Sequence, residues 1–113
     1  MSTIREDIAA AATIAGVTNV TPYYRQSTKP GDGFVQLLEL NRGDNGFGFM
    51  ATWQVVIFVA QDVAAAEKWM ENHLATLIEE LEPELIVTSA GPDTALLPSG
   101  ATNTITITGA REA

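Results

Sequence analysis

Between residues 34 and 82 the hydrophobic period of the chain changes once, and few folds satisfy both halves. Phe49, Ala51, Trp53, Val55, Ile57 and Val59 alternate with Met50, Thr52, Gln54, Val56, Phe58 and Ala60. A period of two is what a strand requires. Apolar residues occupy both faces of the second half of this run, so that half belongs at the centre of a sheet, covered on both sides. The half around Thr52 and Gln54 faces solvent or a partner. At Asp62, a good N-cap, the period lengthens. Val63, Ala66, Met70, Leu74, Leu77 and Leu81 recur at steps of three and four, widened by Trp69, His73 and Ile78, until Pro83 stops the pattern. This predicts a helix of about 20 residues.

The remaining elements follow from local chemistry. Phe34 to Asn41 reads as a strand, and residues 42 to 48 join it to the next one. Arg42-Gly43-Asp44-Asn45-Gly46-Phe47-Gly48 has three glycines and an Asn-Gly pair, which predicts a hairpin with a phenylalanine at its tip. Thr3 and Glu6 form a capping box ahead of Ile4, Ile8, Ala11, Ala12 and Ala15, so a helix is expected over residues 4 to 15, with Gly16 at its end. Val17 to Gln26 reads as a strand, at an edge or bulged because Pro22 lacks a donor. Ser27 to Gly33 is read as a loop with Lys29 and Asp32 on its exposed tip. Leu85 to Ala90 is a short strand and Gly91 to Ala101 a loop with two prolines and two glycines. Asn103 to Gly109 is a half-buried strand of alternating Thr and Ile. The order is α-β-β-β-α-β-β. An α+β fold is expected over residues 1–113, a single domain with two helices on one face of a mainly antiparallel sheet.

Charge and composition remove several functions. Six Lys and Arg against 14 Asp and Glu leave a net charge of −8. Such a chain repels phosphate, which disfavours tight nonspecific nucleic-acid binding. With no cysteine and a single histidine, thiolate metal sites, cysteine nucleophiles and His-cluster metal sites lack their ligands, so no metal and no cofactor is expected. The N-terminus lacks the basic start and apolar stretch of a secretory signal, and the longest apolar run, Val55 to Ala60, is far short of the ~20 residues that span a bilayer. No membrane is expected as a partner; synthesis and assembly belong in a cytoplasm.

The remaining constellations are weak as chemistry. Arg42-Gly43-Asp44 spells an adhesion tripeptide inside a turn that needs Gly and Asp anyway. His73 with Glu67, Glu71 and Asn72 offers acid–base groups on one helix, but nothing completes a site, and a packing or interface histidine is the simpler reading. Glycines 43, 46 and 48 do not link a strand to a helix, so they are no phosphate cradle. Tyr23, Tyr24 and Arg25 are read as buried or interface residues rather than a base-stacking set. Glu79, Glu80 and Glu82 oppose the dipole at the C-terminus of the long helix at a few tenths of a kcal/mol each. Solvent or the basic groups of a partner would relieve that.

Several phrases carry a resemblance that covers nearly the whole chain. Val20-Thr21-Pro22-Tyr23-Tyr24-Arg25-Gln26, Lys29-Pro30-Gly31-Asp32-Gly33, Trp53-Gln54-Val55 and Ala65-Ala66-Glu67-Lys68-Trp69 resemble tail terminator proteins of long, non-contractile-tailed bacteriophages, most closely those of actinobacterial hosts. The resemblance implies a mixed α/β domain without enzymatic activity. It implies a homo-hexameric ring at the head-proximal end of the tail tube in the virion. That ring stops tube polymerisation and meets the tail tube protein on one side and the head–tail connector on the other. Genome DNA passes through its lumen without specific binding.

With that role in view, the interface candidates are Arg42, Asp44 and Phe47 of the hairpin, Lys29 and Asp32 of the preceding loop, and Glu79 and Glu80 of the long helix. An exposed phenylalanine among glycines is costly unless docked. The alternatives are another neck protein such as a connector or tail-completion protein, a minor tube subunit, and a small enzyme built on His73 and a glutamate.

Overall fold

Both helices begin at the caps that the sequence provides. Thr3 accepts from the Glu6 amide while the Glu6 carboxylate accepts from the Thr3 amide, so the capping box is complete. Asp62 accepts from the Ala65 amide at the start of the long helix. The computed structural model describes residues 3–25, 29–42, 49–59, 61–97 and 100–112, with residues 42, 95–97, 100 and 101 described by their backbone alone. The elements are α1 (Ile4–Ala12), β1 (Asn19–Thr21), β2 (Asp32–Arg42), β3 (Phe49–Phe58), α2 (Val63–Leu81), β4 (Ile86–Leu97) and β5 (Gly100–Glu112). This is the order α-β-β-β-α-β-β, and the fold class is α+β.

The strands form one open sheet in the order β1-β2-β3-β5-β4. β1 lies parallel to β2; the other neighbours are antiparallel. Both helices pack on one face. Ile8, Ala9 and Ala12 of α1 and Leu77 and Leu81 of α2 share a core with Ala51, Trp53, Val55 and Ile57 of β3 and Ile105 and Ile107 of β5. The small alanine face of α1 lets that short helix sit close to the sheet. β3 is the central strand, as its two apolar faces require. On the side away from the helices, Phe34, Val56 and Phe58 form a second buried cluster. Tyr24 meets Phe34 edge-on at 5.0 Å, so the chain that follows β1 lies over part of this cluster, while both described helices pack on the other face.

Several boundaries differ from the sequence expectation, each for a local reason. α1 ends at Ala12, not near residue 15. The Thr18 hydroxyl donates to the Ala12 carbonyl and accepts from the Ile14 amide, and the Thr13 hydroxyl donates to Ala9 while accepting from Val20. Two threonines thus take over the helix-end groups. Gly16 does adopt the left-handed conformation, φ 77°, but in the turn beyond. β1 is only three residues long and stops before Pro22, at the sheet edge. Asp32 is not on an exposed tip. The Gly31 amide donates to the Phe58 carbonyl and the Asn19 amide to the Gly31 carbonyl, which draws the end of the loop into the sheet. Asp32 then opens β2, is buried, and pairs with Arg25 at 3.1 Å.

The largest difference is at residues 91–97, read as loop and found as strand. β4 pairs with β5 from Ile86 through Leu97. Gly91 and Pro92 are tolerated because β4 is an edge strand, where a nitrogen without hydrogen need not break a ladder. The β4–β5 pair extends past the end of β3, whose last partner in β5 is Thr104, and stands there as a two-stranded ribbon.

Candidate interaction surface

A chain of this size covers one face of its sheet with two helices only in part, and what stays uncovered is the candidate site. α1 spans nine residues, too few to shield the far end of β2. Leu37 and Leu40 pair with Trp53 and Ala51 and so lie on the helix side of the sheet, yet they are 37% and 53% exposed. Leu38 sits at a β-bulge between them and is 46% exposed. Phe49 ends the same stripe, half exposed. At the opposite edge Ile86, the first residue of β4, is 71% exposed. Tyr23 and Tyr24 are both exposed beside β1, so of the two expectations for these rings, burial or an interface, burial does not hold. Val63 is exposed too: the stripe on α2 reaches the core only from its second turn on.

Of the residues singled out from sequence, Glu79 and Glu80 are exposed on α2 near its C-terminus, as a solvated or docking face requires. Lys29 is exposed in the turn before β2, and its carbonyl accepts from the Asp32 amide. Arg42 is the last residue of β2 and pairs with Phe49, the first residue of β3; residues 43–48, read as a hairpin, lie outside the described residues. Asp44 and Phe47 lie outside the described residues. Asp32 is withdrawn from the surface, as above. These residues therefore do not form one cluster: Lys29 and Arg42 sit at opposite ends of β2, and the glutamates lie across the sheet.

The exposed leucines of β2 and the exposed Ile86 went unnoticed in the sequence. The signal was present in Leu37-Leu38-Glu39-Leu40, where apolar residues fall on consecutive positions that a single buried face cannot absorb.

One open groove borders Ile86 and another borders Val63. The first runs between α2 and β4 and is lined by Leu74, Ile78, Leu85, Val87 and Ala90, with Glu82 at its rim. The other lies beneath the start of α2, between Val63, Met70, Pro92 and Ile105. His73 is half-buried against Trp69, with ring centroids 4.8 Å apart. Among the described residues no group of three or more His, Asp or Glu is placed to hold a metal ion. Among them, too, no helix is long and apolar enough to cross a membrane.

Arg5 fixes the β1–β2 side of this surface. Its guanidinium donates to the carbonyls of Pro22 (2.9 Å) and Val35 (2.8 Å). It also lies over the rings of Tyr23 (4.6 Å) and Trp53 (5.3 Å). One cation thus ties α1 to the end of β1, to the edge of β2 and to the buried indole of β3. Arg5→Met keeps the aliphatic stem and removes every one of these polar contacts. It is expected to cost about 2–3 kcal/mol, read by urea unfolding, because two part-buried carbonyls lose a charged donor. A loss under 0.5 kcal/mol would show that water replaces the guanidinium without penalty.

No protein-family model matches this chain, and no curated protein matches it in sequence.

Proposed function

We propose that this chain is a structural subunit of a phage tail: a tail terminator that assembles as a ring on the head-proximal end of the tail tube, ends tube polymerisation and offers the surface for the head connector. The observation that carries the reading is the presence of unlike apolar patches at the two edges of one sheet. Leu38, Leu40 and Tyr23 are exposed on the β1–β2 side and Ile86 on the β4 side. A closed ring needs two different patches that meet head to tail, since a patch that matches itself gives a dimer and stops. The resemblance carried by the stretches around Tyr23-Tyr24, Lys29-Pro30-Gly31-Asp32-Gly33, Trp53-Gln54-Val55 and Ala65-Ala66-Glu67-Lys68-Trp69 is what narrows the reading from a ring in general to a terminator in particular. The net charge of −8 suits a wall past which DNA slides without adhering.

The test is electron microscopy of particles made without this protein. Overlong tube polymers are expected. Tails of normal length beside unattached full heads would make it a connector instead, and normal infectious particles would overturn the reading. Turnover of a small molecule by the purified chain would do the same.

A further inference from the structure

The ring reading leaves open which surface of one copy meets which surface of the next, and the sheet register narrows the choice. Ile86 pairs with Ala110, Ala110 with Thr52 and Thr52 with Glu39. These residues form one row across the sheet from edge to edge. The exposed Ile86 ends the row on one side, and Leu38 and Leu40 flank its other end. Both edges are also open there. β4 has β5 as a neighbour on one side only, and β2 is paired with β1 only over Asp32, Gly33 and Phe34, so residues 36–42 have no ladder partner on that side among the described residues. β2 and β4 run in opposite directions. Copies related by rotation about an axis along the strands would therefore bring these edges side by side, level and antiparallel.

Charge disfavours one symmetric rival, the pairing of two β4 flanks. Residues 61–112, which build α2, β4 and β5, hold nine Asp and Glu against two Lys and Arg. Residues 3–42, which build α1, β1 and β2, hold four of each. Two β4 flanks meeting face to face would oppose like charge on both sides, including Glu79, Glu80 and Glu82 near the groove. A β4 flank against a neutral β1–β2 flank meets no such repulsion. The groove between α2 and β4 offers apolar walls of Leu74, Ile78 and Val87 for an incoming aliphatic side chain.

We infer that the β4–α2 flank of one copy receives the β2 edge of a second copy, with Leu40 entering the α2–β4 groove on the helix side and Ile86 meeting the bulge at Leu38 on the other face. The inference rests on the ring reading, and it makes the contact heterologous.

Because the chain has no cysteine, single engineered thiols report cleanly. Ile86→Cys and Leu38→Cys are made separately in the full chain and treated with a short bis-maleimide, each alone and then mixed, with native mass spectrometry of the untreated chain. The mixture is expected to give crosslinked dimers and neither variant alone to do so. Self-crosslinking of either one would reveal a twofold contact and overturn the inference. A closed assembly of three or more copies whose mixture does not crosslink would overturn this pairing while leaving the ring intact. A chain that stays monomeric and crosslinks in no combination overturns it as well, and the tail-length phenotype then decides whether the terminator reading falls too. As a second readout, Ile86→Asp should weaken assembly about tenfold or more with an unchanged melting temperature, since the side chain is 71% exposed in the single copy. A variant that assembles like the parent would count against the contact.

Discussion

Phe58→Ala is expected to lower stability by about 3–5 kcal/mol, the range for removing a buried aromatic side chain without refilling its space. Phe58 is fully buried, yet it lies on the sheet face that no helix covers. Its neighbours are Val56 and Phe34, the latter at 6.0 Å between ring centroids, and Tyr24 closes over Phe34 from the solvent side. Among the described residues the cluster is small, so little is at hand to refill the gap. The substitution should also release Tyr24 from its edge-on contact, since Phe34 would lose the ring behind it. For a two-state domain of this size the melting temperature should fall by roughly 4 °C per kcal/mol, on the order of 12–20 °C. Thermal unfolding followed by circular dichroism reads this directly. A fall of less than 4 °C would mean that the face is already hydrated and that the helix-side core alone carries the fold. Ile57→Ala, on the opposite face of the same strand, is the control, because it opens a cavity in the larger cluster without touching Tyr24.

The central placement of β3 was readable from residues 49–60 because burial on both faces leaves a direct trace: Val56 and Phe58 are apolar where an edge strand would be polar. The caps at Thr3 and Asp62 were readable for the same kind of reason, each being a local interaction within three residues. What escaped the sequence depends on partners far along the chain. Gly91 and Pro92 carry turn chemistry, and only the presence of a free β5 edge makes residues 91–97 a strand. Asp32 reads as the polar end of a loop until Arg25, seven residues earlier, folds back onto it. Arg5 showed no signal at all, since its acceptors are the backbone carbonyls of Pro22 and Val35, which any residue type would supply. The surface was the least readable part. Exposure of Leu40 follows from how little of the helix-side face is covered, and that depends on where α1 ends, which two threonines decide; Ile86 shares its register row with Thr52 on the opposite face, where neither described helix packs. A hydrophobic pattern records which face of a strand is apolar; it does not record how far along the strand the cover extends.

Gly31 should prove the most sensitive backbone position, and Gly16 is its natural control. Both adopt positive φ, 77° at Gly16 and 96° at Gly31. An alanine at either site bears the left-handed strain of about 1–2 kcal/mol. At Gly16 the added methyl meets nothing within 4 Å, so Gly16→Ala should cost that strain and little else. At Gly31 the same methyl runs into the Val17 carbonyl oxygen and lies 3.4 Å from its carbon, and backbone cannot rotate aside as a side chain can. Relief requires separating residue 31 from the turn before β1. That movement strains the Asn19 amide bond to the Gly31 carbonyl (3.0 Å) and the Gly31 amide bond to the Phe58 carbonyl (2.8 Å). Those bonds seat β1 beside β2 and bring the end of the loop onto β3. Gly31→Ala is therefore expected to cost about 3 kcal/mol or more, at least twice the loss at Gly16. Chemical denaturation of the two variants side by side measures the difference, in which the shared conformational strain cancels and the steric part remains. Equal losses would show that Val17 gives way freely. A Gly31 variant with native stability would mean that the approach of β1 to the loop is not needed to hold the sheet edge.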